Sequence, residues 1–389
     1  MKIALVLANT PAYSETFFNS KIKGLQQNGF EVTLYTRIRQ QNFELCPVVQ
    51  APDFAGNVFH KIEIATKTFF TLIPHWKAVY RFLQLERQSN RKYLTSIKHL
   101  FINSHLLTAK ADWVHFGFAT LAVGSENVAK AIGAKMAVSF RGFDINVYPL
   151  KHAACYYLLW QNIDKVHSIS HYLLEKAEKL GLSKEVSSQI ITPAVVIESL
   201  PEPAQELSRN KIVTIARFNW IKGLDIALKA IAILKSKGVV VTYHIIGSGS
   251  SEEEERIRFL VHLLALEKQV VFHGKCTHAQ TLSILKDAHI YLQPSLNEGF
   301  CNAVLEAQVL GIPCVVTNGG ALPENVKNGE TGWVVPVHDP NQMAVMLEKV
   351  VKMEQETLHK MRTKWIHQIQ DQFNIKKQQQ QFIEFYTQA

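Results

Sequence analysis

The sequence predicts an α/β protein built from two doubly wound parallel sheets. Three observations predict it. Short apolar runs alternate with amphipathic helical stretches through most of the chain, the pattern of parallel strands joined by helical crossovers. The alternation lapses between residues 193 and 210, where Pro201-Glu202-Pro203 is stiff, polar and helix-breaking, and then resumes. A length of 389 residues suits two domains of ordinary size.

In the first half, residues 3–8 read as an apolar strand. Residues 17–28 read as a helix that Gly29 ends, and 31–35 as the next strand. Later strands are expected at 113–116, 135–140 and 166–170. In the second half, strands are expected at 212–215, 239–246, 270–272, 290–292 and 314–316, with helices at 223–237, 252–266 and 279–287 between them. The last stretch, 342–388, reads as helical and is rich in Gln and Lys.

Bulk numbers narrow the class. Hydrophobic residues make up 47% and charged residues 19%, as in a globular enzyme. No apolar run is long enough to span a bilayer, and the opening MKIALVLANT is too short for a signal peptide, so it reads as the first strand. The five cysteines form no C-x-x-C pair, which argues for a reducing cytoplasm and against disulfides or zinc. The net charge of +9 is uneven. Residues 1–200 carry 22 basic and 14 acidic side chains, and residues 61–110 alone carry nine and two. There Lys77, Arg81, Arg87, Arg91, Lys92 and Lys98 alternate with Phe69, Phe70, Trp76, Phe82, Tyr93 and Phe101. Such a stretch suits an anionic membrane surface; a solvated helix face is the plain alternative. Nucleic acid is not expected, since no recognised binding motif accompanies the charge.

The chemistry concentrates in PSLNEGFCNAVLEAQVLGIPCVV. Glu298 precedes a helix read as 302–310, and Glu306 lies one turn inside it. Asn302 and Glu306 are four apart and share a helix face. The N–H groups around Gly299, Phe300, Cys301, Asn302 and Ala303 form a helix start that attracts a phosphate or a polar sugar edge. Two carboxylates there can accept hydrogen bonds from two diols. A nucleotide sugar carries a ribose diol, a diphosphate and a hexose diol in a row. Downstream lie a second glycine loop, Thr317-Asn318-Gly319-Gly320-Ala321-Leu322-Pro323-Glu324, and the string Asn328-Gly329-Glu330-Thr331-Gly332-Trp333.

This string resembles the retaining glycosyltransferases of family 4, which have the GT-B fold. The resemblance is specific over about residues 211–345 and weaker in the N-terminal half. It implies two Rossmann-like domains facing a cleft: an acceptor domain at 1–200, a linker at 201–210 and a donor-nucleotide domain at 211–365. A C-terminal helix at 366–389 is expected to cross back to the first domain. It implies transfer of a hexose from a UDP- or GDP-sugar to a saccharide, lipid-linked or free, in exopolysaccharide, O-antigen or capsule assembly.

Other residues take roles within that frame. Arg217 closes a strand, and Lys222-Gly223 opens the next helix. Fixed cations at a strand's carboxyl end stabilise charge that develops on a departing diphosphate. The family usually has Glu before that Lys, where this chain has Ile221. Gly247-Ser248-Gly249 follows a strand and precedes an acidic helix; it is either a phosphate-approach loop or a tight turn. Ser14-Glu15-Thr16 opens the first helix and resembles an SETF string of exopolysaccharide-type members. His115 and Arg141-Gly142-Phe143-Asp144 end strands, where α/β ligands bind. Arg141 stands where the family often has His. The expected catalytic set is Arg217, Lys222, Glu298 and His115. The expected donor contacts are Gly247, Gly249, Gly299, Phe300, Cys301, Asn302 and Glu306, with Glu15, Arg141 and Asp144 as sugar or acceptor contacts. No D-x-D occurs, so no metal and no other cofactor is expected. The enzyme is expected in the cytoplasm, peripheral on the membrane's inner face. Alternatives are a phosphorylase or nucleotide-sugar epimerase on a similar fold, a nicotinamide oxidoreductase, and a non-enzymatic membrane-docked scaffold.

Overall fold

The computed structural model describes residues 1–11, 16–39, 43–195 and 210–388. It divides into two compact units, the first comprising Met1–Ile191 with the chain from Gln378 on, the second Thr192–Lys377. The expected linker lies outside the described residues except for Asn210.

The first unit holds a parallel sheet of seven strands, among the described residues. They are β1 (Lys2–Asn9), β2 (Glu31–Ile38), β3 (Val48–Gln50), β4 (Trp113–Phe116), β5 (Lys135–Phe140), β6 (Lys165–Ser168) and β7 (Ser187–Ile190). Their order is β3-β2-β1-β4-β5-β6-β7. Among its described residues the second unit has six parallel strands: β8 (Lys211–Ile215), β9 (Thr242–Ile246), β10 (Val270–Gly274), β11 (Ile290–Gln293), β12 (Cys314–Thr317) and β13 (Trp333–Val335). Their order is β10-β9-β8-β11-β12-β13. The central strands β4, β11 and β12 are buried at every position, as expected where helices cover both faces of a parallel sheet. Both sheets reverse direction of growth beside their first strand, between β1 and β4 and between β8 and β11. Open α/β sheets bind ligands at such a switch, beyond the strands' carboxyl ends.

Three strands went unread in the sequence. β3 and β13 have three residues each, and β7 is the half-exposed Ser-Ser-Gln-Ile, so none presents an apolar run longer than three residues. β9 starts at Thr242 rather than 239, because Gly238 turns the chain at φ +76° and leaves Val240 76% exposed. The C-terminal helical stretch breaks into Pro340–Val351, Gln355–Gln372 and Ile375–Thr387. The chain rejoins the first unit near 378 and not 366. Trp365 and Ile369 bury into clusters of the second unit, whereas Phe382, Phe385 and Tyr386 join the core under the first sheet.

The basic stretch folds as helices Val58–Leu72, Trp76–Gln88 and Tyr93–Ile102. Its residues do not act alike. Phe82 is fully buried. Arg91 is an internal cation: its guanidinium donates to Glu86 Oε1 and to Glu126 Oε2, both at 2.8 Å. Glu86 is fully buried and also bonds His99 and Asn127. Phe69, Phe70, Trp76 and Tyr93 remain more than half exposed.

Candidate active site

The switch between β8 and β11 gathers most of the predicted residues of the second unit. Arg217 follows β8 and is exposed, and among the described residues it carries no ion pair. Lys222 ends a short 3₁₀ turn, Trp220–Lys222, that Asn219 caps by accepting the Ile221 N–H. The backbone then ties this turn to the β11 loop, since Leu296 N–H donates to Ile221 O at 2.8 Å. Lys222 Nζ thereby reaches Glu298 Oε1 at 2.6 Å.

Glu298 is held by a convergent polar set. Oε1 accepts from Lys222, from Ser295 Oγ at 2.7 Å and from Gln293 Nε2 at 3.2 Å. Gln293 is itself fixed by Tyr291 O–H, which donates to its Oε1. Three donors thus crowd one carboxylate oxygen. Among the described residues none donates to Oε2, which leaves an acceptor for a hydroxyl of a bound molecule.

The second glycine loop sets the backbone of Glu298. Gly320 has φ +65°, and a Cβ there would lie 2.3 Å from Glu298 O and 2.7 Å from its N. Both neighbours are backbone, so neither can move aside. Ala321 N–H donates to Glu298 O at 2.9 Å. Gly320→Ala is therefore expected to displace Glu298. A misplacement of about 1 Å in a catalytic group costs about 10²-fold in rate. Steady-state kinetics of the variant beside a thermal melt checks this: a folded variant with unchanged turnover would refute the positioning role.

Glu306 sits one turn into the helix Asn302–Val309 and its Oε1 pairs with His278 Nε2 at 2.9 Å. The hydrogen bond that His278 donates to Glu306, against a smaller opposing desolvation, leaves the His278 pKa above its usual value. His278 begins a helix after β10, far from the motif in sequence, and nothing in its surroundings singled it out there.

Several expectations need correction. The helix start is not a row of free N–H groups. Asn325 Oδ1 accepts the Cys301 N–H at 3.0 Å, and Asn325 Nδ2 returns to Cys301 O. The Cys301 side chain is buried, and burial, with Glu298 nearby, pushes its thiol up to about 12. Cys301 is a core residue and not a donor contact. Asn302 is exposed, and no side chain caps this helix. The Gly247-Ser248-Gly249 amides are also engaged: Gly247 N–H donates to Gly274 O, and Gly249 N–H to Glu254. Gly247 has φ +134°, and a Cβ would sit 2.0 Å from Ala216 O. These glycines pack the β9 loop against Ala216-Arg217, which makes them a support for Arg217.

In the first unit, Glu15 lies outside the described residues. His115 is wholly buried. His167 Nε2 donates to Ile191 O at 3.0 Å, so its Nδ1 accepts from Ser139 Oγ. Ser139 then accepts from His115 Nε2, and His115 Nδ1 accepts from Tyr386 O–H at 2.6 Å. Lys21 Nζ approaches the same ring at 3.3 Å. Burial, with Lys21 beside it, holds the His115 pKa well below its usual value. Both ring nitrogens are spent inside the core, which removes His115 from the catalytic set. Asp144 is buried too, with its carboxylate accepting the N–H groups of Arg141, Gly142 and Ala119. It brackets the β5 loop and is not a surface sugar contact. The Arg141 guanidinium stacks on Phe17 at 3.8 Å and on Phe18 at 4.5 Å.

The family model described as Glycosyl transferases group 1 matches residues 197–372. That span contains every second-unit residue of the site. These residues are a group 1 glycosyl transferase domain. The putative colanic acid biosynthesis glycosyltransferase WcaL of Salmonella typhimurium is 26% identical, with 96% of each chain covered. The amylovoran biosynthesis glycosyltransferase AmsK of Erwinia amylovora is 27% identical over 69% of this chain and 67% of its own. The whole chain follows the fold of sucrose-phosphate synthase from Thermosynechococcus elongatus (TM-score 0.75, 16% identity, 100% and 98% covered). It also follows Anabaena HepE solved with UDP (TM-score 0.74, 14% identity, both chains fully covered). The protein is thus a glycosyltransferase of the GT-B fold, and the cluster around Glu298 lies at the sheet's switch point, where open α/β sheets bind ligands.

Proposed function

We propose that this glycosyltransferase moves a hexose from a nucleotide sugar to a saccharide, with retention and without a metal. The observation that carries this reading is the charge arrangement at the β8–β11 switch. Among the described residues, Arg217 is a cation without an ion pair, Lys222 is held by Glu298, and Glu298 keeps an unused oxygen. Arg217 and Lys222 would hold the diphosphate. Glu298 would accept a hexose hydroxyl and Glu306 the ribose hydroxyls. In the reaction the bond from hexose C1 to the β-phosphate oxygen breaks. The acceptor oxygen bonds C1 on the same face, and its proton passes to the departing phosphate. Catalysis then rests on stabilising charge that grows on the leaving group.

HepE solved with UDP-glucose supports a UDP-sugar donor. The names of WcaL and AmsK support a role in polysaccharide biosynthesis; the acceptor we propose is a saccharide carried on a lipid. That acceptor would place the enzyme peripherally on the inner face of the cytoplasmic membrane. No described helix is long and apolar enough to cross a membrane.

The absence of D-x-D in the sequence supports metal independence, because the usual carboxylate pair for a nucleotide-bound Mg²⁺ is missing. Release of UDP from UDP-sugars in the presence of a membrane extract tests the activity. The rate is expected to survive EDTA. Loss with EDTA and rescue by Mg²⁺ or Mn²⁺ would overturn the metal-free reading.

A further inference from the structure

The first unit carries a cavity of about 400 Å³ that the donor chemistry does not use. Leu107, Ala131 and Ile132 contribute to its lining, most of whose surface is polar. Its rim is His75, Trp76, Lys77 and Arg81, at the start of the helix Trp76–Gln88. Lys77 and Arg81 are four apart and both exposed, and among the described residues neither has an ion pair. Like charges at this spacing repel. Lys77 Nζ lies over the Trp76 ring at 5.9 Å, and an anion seated between the two cations would relieve their repulsion.

The face leading into this rim is apolar and exposed. Phe59, Ile62, Phe69, Phe70, Ile73 and Trp76 are each more than half accessible. They recur at helical spacing along Val58–Leu72 and the turn Ile73–His75. An exposed apolar stripe of this extent marks an interaction surface. Aromatic rings beside unpaired cations match the boundary of an anionic bilayer, where rings sit at headgroup level and cations meet phosphates.

We propose that this cavity is a headgroup site: it takes the phosphate of an anionic lipid between Lys77 and Arg81 while the apolar stripe enters the bilayer surface. This rests on, and deepens, the peripheral membrane reading above. It separates two kinds of cation in the basic stretch. Lys77 and Arg81 contact lipid, whereas Arg91 is committed to Glu86 and Glu126 and takes no part.

The test is co-sedimentation of the full chain with vesicles of phosphatidylcholine, with and without phosphatidylglycerol. The wild type is expected to bind the anionic vesicles preferentially. Lys77→Ala/Arg81→Ala should weaken that binding by about 30-fold, from about 1 kcal/mol per basic side chain near the surface. The charge-matched Arg87→Ala/Lys92→Ala should weaken it by only a few fold, since both side chains lie outside the cavity rim. Unchanged thermal melts would show both variants folded. Equal loss in the two variants would overturn the headgroup site and leave peripheral attachment standing. Saturation by millimolar glycerol phosphate with no vesicle preference would replace the lipid with a free phosphate ester and overturn the proposal. Binding to neither vesicle would overturn both the site and the peripheral reading. Turnover of UDP-sugar, measured in parallel, reports on the donor site alone.

Discussion

Arg217→Ala and Lys222→Ala are each expected to lower kcat by about 10²–10³, the loss that follows removal of one well-placed charge donor. The two should differ in how they fail. Arg217 is exposed and, among the described residues, unpaired by any carboxylate, so its removal leaves the folded state as it was. Its effect should fall on turnover, with an unaltered melt. Lys222 is also the partner of Glu298, whose side chain is only 12% exposed. Removing it strands that carboxylate, so Lys222→Ala should lose stability as well as turnover. Lys222→Arg keeps the charge but changes its shape, and should recover stability more fully than rate. Turnover within threefold of wild type in both alanine variants would remove the diphosphate assignment.

Arg91→Ala is expected to cost about 3–5 kcal/mol of stability, the usual result of removing one partner from a buried ion pair. Glu86, wholly buried, would keep His99 and Asn127 but lose its permanent cation. Glu126, also nearly buried, would lose the cation that faces it. The same network sets an acid limit. Burial pushes the Glu86 carboxyl up, but His99, Asn127 and Arg91 more than offset this, so it titrates below the usual range. A depressed folded pKa contributes stability above the unfolded value, about 4.3, and that stability fades as pH falls through the folded one. Chemical denaturation at neutral pH and near pH 3 measures both effects. A melt of Arg91→Ala unchanged from wild type would place Arg91 with the solvent-facing cations.

Much of this was legible in the sequence because parallel sheets buried on both faces announce themselves as apolar runs. β4 and β5 matched the residues read from the sequence alone, and β11 and β12 each extend one residue further. Glu298, Lys222 and Arg217 drew attention because each lies in the loop that follows such a run. The edge strands β3 and β7 were not, since a short or half-solvated strand has no apolar signature. His115 misled for a physical reason. A polar residue in a buried strand looks the same in sequence whether it faces a ligand or a core network. Its bonds to Ser139 and to Tyr386, which returns from the far end of the chain, show that the core claims it. The Gly-x-Gly loop misled in the same way, because glycine serves a close backbone neighbour as readily as a phosphate. His278 was invisible, as its partner Glu306 lies on a different helix.

The central claim is that the β8–β11 switch holds a nucleoside diphosphate through Arg217. Calorimetric titration of UDP into the wild type and Arg217→Ala tests it most directly. The wild type is expected to bind UDP at one site, and Arg217→Ala at least about tenfold more weakly, as suits a lost hydrogen bond to a charged group. Equal affinity in the two proteins, or no binding of UDP, GDP or ADP by the wild type, would contradict it.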